Sequence, residues 1–321
     1  MGFPKHKKGA LAESGGGAKG AYQIGVGEML AKHGFDPKIY AGTSVGALNA
    51  TMGAQVGLVK RGREFWYKQK GNTRTWLRKK DIFKEFGKLK SGRRLLRDGG
   101  IMSNRPLHKW IDRTVDPKAI KKRGVVLEVG AVNLHTLRYH TFSPGDPNFN
   151  LGLLASINAP LAVPPEEIKV PPATKKQLWA DGGIQNLTPI GDALKHNPDF
   201  LVIVILRKLG KPKAVKVMPR LGGFKGLGVL KRTVDAMFEE IAFEDVQQFE
   251  RLNEAARLYE KDAGKPLVIN GKRIRFVPYI LIQPSKDLGD GEDFDSATLE
   301  SRYQLGLKDA KKALKKAGFL P

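Results

Sequence analysis

Cysteine is absent from this 321-residue chain, which excludes a disulfide framework, a zinc–thiolate site and a cysteine nucleophile. Long apolar runs are missing too. The longest is Phe200–Leu206, whereas a helix crossing a bilayer needs roughly 20 apolar residues. Acidic residues are scarce: 32 Asp and Glu face 56 Lys and Arg, a net charge of +24. That imbalance points to an anionic partner, either nucleic acid or a membrane surface. A secretory leader is not visible, because the basic start Met1–Lys8 runs into Gly9-Ala10-Leu11-Ala12-Glu13, too short and too acidic for an apolar leader core. His6 stands where N-myristoylation requires Ser or Thr. The expectation is a cytoplasmic protein, with peripheral attachment to a membrane left open.

What is present suffices for a large core. Hydrophobic residues make up 41% of the chain, enough for one large domain or two modest ones. A strand at 9–14 leads into Gly15-Gly16-Gly17, followed by helical apolar spacing from Ala18 to His33. A second strand at 38–41 ends at Gly42, and a small-residue helix runs from about Ser44 to Gly57. This alternation opens an α/β fold with a mainly parallel sheet. Strands are expected at Val125–Asn133, Arg138–Phe142, Gln177–Ala180, Phe200–Leu206 and Arg273–Ile282, and helices at Thr188–His196, Thr233–Lys261 and Ser296–Ala317. The stretch Ser143–Pro172, with seven prolines, reads as loop, as does the Gly/Lys/Pro-rich 208–227.

Three motifs carry chemistry. Gly42-Thr43-Ser44-Val45-Gly46 has the Gly-x-Ser-x-Gly form, in which flanking glycines let the backbone pass a serine held on a strained strand-to-helix turn. Without supporting motifs, Ser44 would equally be read as a helix cap. Gly15-Gly16-Gly17-Ala18-Lys19-Gly20 matches Gly-x-Gly-x-x-Gly, but no acidic residue ends the second strand to hold a ribose, and Ala21 replaces a P-loop lysine. A dinucleotide-dependent oxidoreductase is therefore disfavoured. A loop of free backbone N–H groups aimed at an oxyanion is the better use of these glycines, with Lys19 supporting the loop or meeting an anionic head group. Asp181-Gly182-Gly183 sets a carboxylate at a strand end, where a turn-opening Asp is the ordinary reading. None of His6, His33, His108, His135, His140 and His196 has a supporting motif, which argues for a Ser–Asp dyad in which Asp181 takes the Ser44 proton.

Together these motifs resemble the patatin-like phospholipases. Ser14–Val26 is similar to the opening of bacterial members, and Ala155-Ser156-Ile157-Asn158-Ala159-Pro160 with Val163-Pro164-Pro165 resembles the segment before the family's aspartate. Asp181-Gly182-Gly183, with Asn186 and Pro189, matches the aspartate motif itself. The resemblance covers 9–57 and 124–206 and, loosely, the end of the chain. It implies a three-layer α/β/α fold and a serine lipid acyl hydrolase acting on phospholipid or lysophospholipid. Ser44 and Asp181 would be catalytic, Gly15, Gly16, Gly17 and Ala18 would form the oxyanion hole, and Lys19, Gly20, Gly42, Gly46, Gly182 and Gly183 would support the motifs. No metal or organic cofactor is required. The acidic stretch Asp287, Asp290, Glu292, Asp293, Asp295 lacks the spacing of a calcium loop and is read as polar loop.

Between Lys60 and Arg123, outside the resemblance, 22 Lys and Arg face 6 Asp and Glu, so +16 of the charge lies in one fifth of the chain. Trp66, Trp76, Phe83, Phe86 and Trp110 are interleaved with it. This is read as a basic helical insert at 60–123, within a catalytic domain spanning 9–206; 1–8 is a basic tail and 207–321 completes the same domain. The insert would meet an anionic lipid surface or, with its tryptophans stacking on bases, nucleic acid. A solvated cap with its aromatics packed inward competes with both. The alternative for the whole chain is an idle hydrolase-like scaffold that binds anionic lipid or nucleic acid.

Overall fold

The computed structural model describes residues 8–71, 73–85, 87–210 and 225–320. Phe86, most of the N-terminal tail and most of the 208–227 loop lie outside the described residues. One eight-stranded sheet organises the chain. Its strands are β1 (Gly9–Glu13), β2 (Ile39–Thr43), β3 (Val126–Asn133), β4 (Arg138–Phe142), β5 (Glu166–Ile168), β6 (Gln177–Asp181), β7 (Phe200–Val204) and β8 (Tyr279–Ile282). The five strands β8-β7-β1-β2-β3 pair in parallel, while β4, β5 and β6 join antiparallel at the far side.

Side-chain alternation along these strands sorts the core into two layers. Ala10, Ala12, Ile39, Ala41, Leu201 and Ile203 face Ile190 and Ala193 on one side, with Val246 and Phe249 of the long helix α4 (Lys225–Ala263). Leu11, Tyr40, Val129, Val202 and Val204 face the other side. There they meet α1 (Gly20–Lys32), α2 (Val45–Val56), α3 (Phe149–Ile157) and α5 (Ser296–Lys316). The result is a three-layer α/β/α fold with a mainly parallel sheet. Helices α1 and α5 touch backbone to backbone: a Cβ on Gly25 would strike the Tyr303 carbonyl, and one on Gly306 the Tyr22 carbonyl.

Several sequence expectations change. The single strand expected at Arg273–Ile282 divides into Lys272–Ile274, which forms a hairpin with Leu267–Ile269, and β8, separated by a segment that includes Pro278, which has no N–H to give a ladder. The expected helix Thr188–His196 shrinks to Ile190–Leu194, and the one at Thr233–Lys261 extends to all of Lys225–Ala263. The 60–123 insert is not purely helical. It contains the hairpin Tyr67–Lys70/Thr73–Trp76 and a short pairing of Lys84–Glu85 with Met102–Ser103, alongside helices such as Lys88–Asp98 and Arg105–Thr114. Two of its tryptophans point inward and the third is half-buried. Trp66 and Trp76 are 1% and 4% exposed and donate from their indole N–H groups to Asn49 and Glu300, and Trp110 packs edge-on against Phe65. Arg61, counted with the insert's cations, is fully buried against Glu13 at 2.6 Å.

Candidate active site

Sheet register brings the serine and the aspartate together. Val129 and Gly130 of β3 pair with Gly42 and Thr43 on one edge and with Phe142 and Thr141 on the other. One step on, Ala131 pairs with His140 on the β4 edge and with Asp181 on the edge that β2 has just left. Strands β2 and β6 therefore approach end to end along the same edge of β3, with their C-termini meeting at Thr43 and Asp181. Ser44 and Asp181 are neighbours because of this meeting, although 137 positions apart in the sequence.

Ser44 sits at φ 57°, ψ −130°, a conformation that an L-residue adopts only under constraint. Both elbow glycines are required sterically. A Cβ on Gly42 would strike the Gly46 carbonyl, and one on Gly46 the Glu13 carbonyl. The Ser44 N–H donates to Ser156 Oγ at 3.0 Å, and the Asp181 N–H to the Asn158 carbonyl at 3.2 Å, so both ends of the segment 156–158 brace the pair. The Asn158 side chain is tied in turn to the Pro164 carbonyl and to Glu166, which also accepts from Asn104 and meets His108 at 2.9 Å.

Asp181 is buried beside the Ser44 hydroxyl, which favours its charged form, and accepts a hydrogen bond at 2.8 Å from the Gly183 N–H. Burial raises its pKa to about 7 despite both neighbours. Gly182 and Gly183 permit the approach: a Cβ on Gly182 would lie 2.5 Å from the Gly130 carbonyl, and one on Gly183 3.0 Å from Asp181 Oδ1.

The glycine loop lies against the serine, since a Cβ on Gly15 would come within 2.9 Å of Ser44 Cβ. Four of its N–H groups were expected to face an oxyanion, and the structure divides them. Gly15 donates to the Leu187 carbonyl at 3.1 Å and Ala18 to the Gly291 carbonyl at 2.7 Å. Gly16 and Gly17, both partly exposed, find no acceptor among the described residues. Gly20 is closed in by Val45 and Trp66. Lys19 is largely enclosed, and burial, then the nearby Arg207, pull its ammonium below the usual range.

Three contributors escaped the sequence reading. Gly291, in the acidic stretch read as plain loop, clamps the glycine loop through its carbonyl. Arg302 of α5 holds that acidic stretch with three bonds of 2.7–2.8 Å to the carbonyls of Leu288, Asp290 and Asp293. Phe238 of α4 reaches the Gly182–Gly183 turn. No described histidine is recorded in contact with the pair: His196 meets Glu128, His108 meets Glu166, His135 accepts from the Leu178 N–H, and His140 packs on Phe142 and Trp179. Among the described residues, no cluster of His, Asp and Glu could hold a metal ion. Two cavities, of about 390 and 410 Å³, lie in and beside the insert, and neither is lined by Ser44 or Asp181.

A strained serine on a strand-to-helix elbow thus lies beside a buried aspartate and a loop with open N–H groups at Gly16 and Gly17. The profile described as Patatin-like phospholipase matches residues 11–194, and the chain belongs to that family of lipid acyl hydrolases. Among solved structures, the crystal structure of VipD from Legionella pneumophila is similar, with a TM-score of 0.47 and 15% identity over 98% of this chain and 67% of that one. No curated protein matches.

Proposed function

We propose that this protein hydrolyses fatty-acyl esters of phospholipids or lysophospholipids through Ser44 and Asp181, and that its basic insert docks it on an anionic lipid surface. The observation that carries the reading is the buried Asp181 carboxylate placed beside the Ser44 hydroxyl, with burial raising its pKa to about 7. A base poised there is about half ionised at neutral pH and retains enough proton affinity to take the serine proton.

In this mechanism Asp181 accepts the Ser44 proton as Oγ attacks the ester carbonyl. The free N–H groups of Gly16 and Gly17, at the head of α1, stabilise the tetrahedral oxyanion. Asp181 then returns the proton to the departing alcohol oxygen, leaving an acyl-Ser44 ester. Water, deprotonated by Asp181, attacks that ester, and collapse of the second tetrahedral species releases the fatty acid and restores the Ser44 hydroxyl. The helix Lys88–Asp98 supports the docking part of the reading. Lys90, Arg93 and Arg97 recur along one exposed face, and Leu96 stands 90% exposed among them.

A fluorophosphonate probe tests the nucleophile. Labelling mapped to Ser44 by mass spectrometry, lost in Ser44→Ala, is expected. An unlabelled wild-type protein, in the presence and absence of phosphatidylglycerol vesicles, would leave an idle binding scaffold as the correct reading.

A further inference from the structure

Next to the free N–H groups of the glycine loop lies a second set of unmet donors. Gly16 backs onto Leu206, whose Cδ1 would sit 2.8 Å from a Cβ at Gly16, and the Leu206 N–H donates to Ser14 Oγ at 3.1 Å. The following residue, Arg207, has its Nε and one terminal nitrogen enclosed with no hydrogen-bond partner. Within the loop, the Lys19 ammonium makes no ion pair or hydrogen bond with a described residue. The two cations are close enough that Arg207 depresses the ionisation of Lys19.

The charges around them do not resolve this. Asp235 is engaged by Lys231 at 2.9 Å. Glu239 attracts both Lys19 and Arg207 without ion-pair contact, and Asp287 and Arg302 add one charge of each sign near Lys19. An enclosed guanidinium with open donors carries a desolvation cost that no neighbour repays. A phosphate would repay it, because guanidinium donors fit its oxygens in a forked geometry and an ammonium adds a point charge.

We propose that Arg207, with Lys19 beside it, forms a phosphate-binding subsite adjoining Gly16 and Gly17. For a phospholipid whose ester carbonyl lies in the glycine loop, the head-group phosphate is a few bonds away, so the subsite would favour phosphate-bearing esters over neutral ones. That substrate assignment rests on Ser44 being the nucleophile. Phosphate binding itself does not.

Two measurements on the intact protein test the proposal, with Arg207→Gln and Arg207→Lys as variants. The first is calorimetric titration with inorganic phosphate and with glycerol 3-phosphate. Affinity is expected to fall at least tenfold in Arg207→Gln and less in Arg207→Lys. Thermal stability of the unliganded Arg207→Gln protein should rise, because an uncompensated enclosed charge is gone; a purely structural arginine would give a fall. The second is the ratio of kcat/KM for a lysophosphatidylglycerol to that for the monoacylglycerol of the same chain, expected to drop ten- to a hundredfold in Arg207→Gln. A lower ratio identifies the head group as the natural occupant, whereas weakened phosphate binding with an unchanged ratio identifies free phosphate. Phosphate binding that is absent in wild type, or unaltered by Arg207→Gln, overturns the subsite. Absence of turnover on every ester defeats the hydrolase reading and leaves the titration to decide the subsite alone.

Discussion

Asp181 couples chemistry to stability through one proton. Its carboxyl moves from an ordinary pKa of 3.8 to about 7 on burial, so the folded state holds the proton more tightly than the unfolded chain does. Below pH 4 both states are protonated and nothing is lost. Stability then declines as pH rises between the two values, and above 7 the full cost applies, about 4 kcal/mol. Catalysis runs the other way, since only the ionised carboxylate can accept the Ser44 proton, and kcat/KM should climb with pH through about 7. Asp181→Asn separates the two effects. It should abolish ester turnover while raising the melting temperature above pH 7, with the gap to wild type closing as pH falls towards 4. Melting curves at pH 8 and pH 5, read beside a pH–rate profile, check this; equal shifts at both pH values would sink the account. At this scale the sequence was most legible. Ser44, Gly42, Gly46, Gly182 and Gly183 announced themselves because close backbone approach permits only glycine, and that requirement leaves a mark at fixed spacing. The division of labour in the loop was not legible, because whether Gly15 or Gly16 keeps a free N–H depends on carbonyls at Leu187 and Gly291, and every residue type supplies a carbonyl.

Between elements, the acidic stretch acts as a brace. The Gly291 carbonyl takes the Ala18 N–H, and Gly291 packs so closely on Gly17 that a Cβ there would strike its oxygen. The stretch keeps that shape because Arg302, 3% exposed, fills its concave side with bonds to three carbonyls. Arg302→Met retains much of the apolar stem but removes all three bonds, at about 1.5–3 kcal/mol for each hydrogen bond to a charged group. The expected result is early proteolytic cleavage within 287–295 and at least a tenfold loss in kcat, with far-ultraviolet circular dichroism unchanged. Uncut protein with full activity would show that the glycine loop holds itself. The end-to-end placement of β2 and β6 along one edge of β3 belongs to this scale too. The strands were predictable from their β-branched and small-residue runs, but their end-to-end meeting was not, since register across 137 residues leaves no local pattern. A long loop with only an acidic composition gave no hint that a buried arginine on the last helix would organise it.

Across the whole molecule, charge and aromatics separate. Sequence composition joined them in the 60–123 insert, where either a stacking surface or an interfacial belt could be read from Trp66, Trp76 and Trp110. In the fold these rings pack against Phe65, Tyr67, Phe294 and Tyr303, and most of the cations stay exposed, although Arg61 is buried on Glu13 and Arg74 lies over the Tyr67 and Tyr303 rings. Alternation of charge with aromatics fits an inward-packed face as well as a displayed one, so composition alone could not choose. What the insert displays is Lys90, Arg93 and Arg97 with the exposed Leu96. A surface of this kind gains from each basic residue near an anionic leaflet, with the apolar side chain entering the interface. Reversing Lys90 and Arg93 to Glu, and separately changing Leu96 to Asp, should each weaken co-sedimentation with phosphatidylglycerol vesicles at least tenfold. The charge reversal should lose its effect in high salt, where the wild-type attraction is itself screened, while Leu96→Asp should retain part of its effect. Neither change should alter hydrolysis of a soluble short-chain ester, because none of these side chains lines the Ser44–Asp181 site. Unchanged vesicle binding in both variants would move the docking surface elsewhere on the +24 exterior. Reduced hydrolysis of the soluble ester would instead mean that the helix Lys88–Asp98 shapes the site itself, through the cavity that Arg94, Asn104, His108 and Glu166 share beside Asn158.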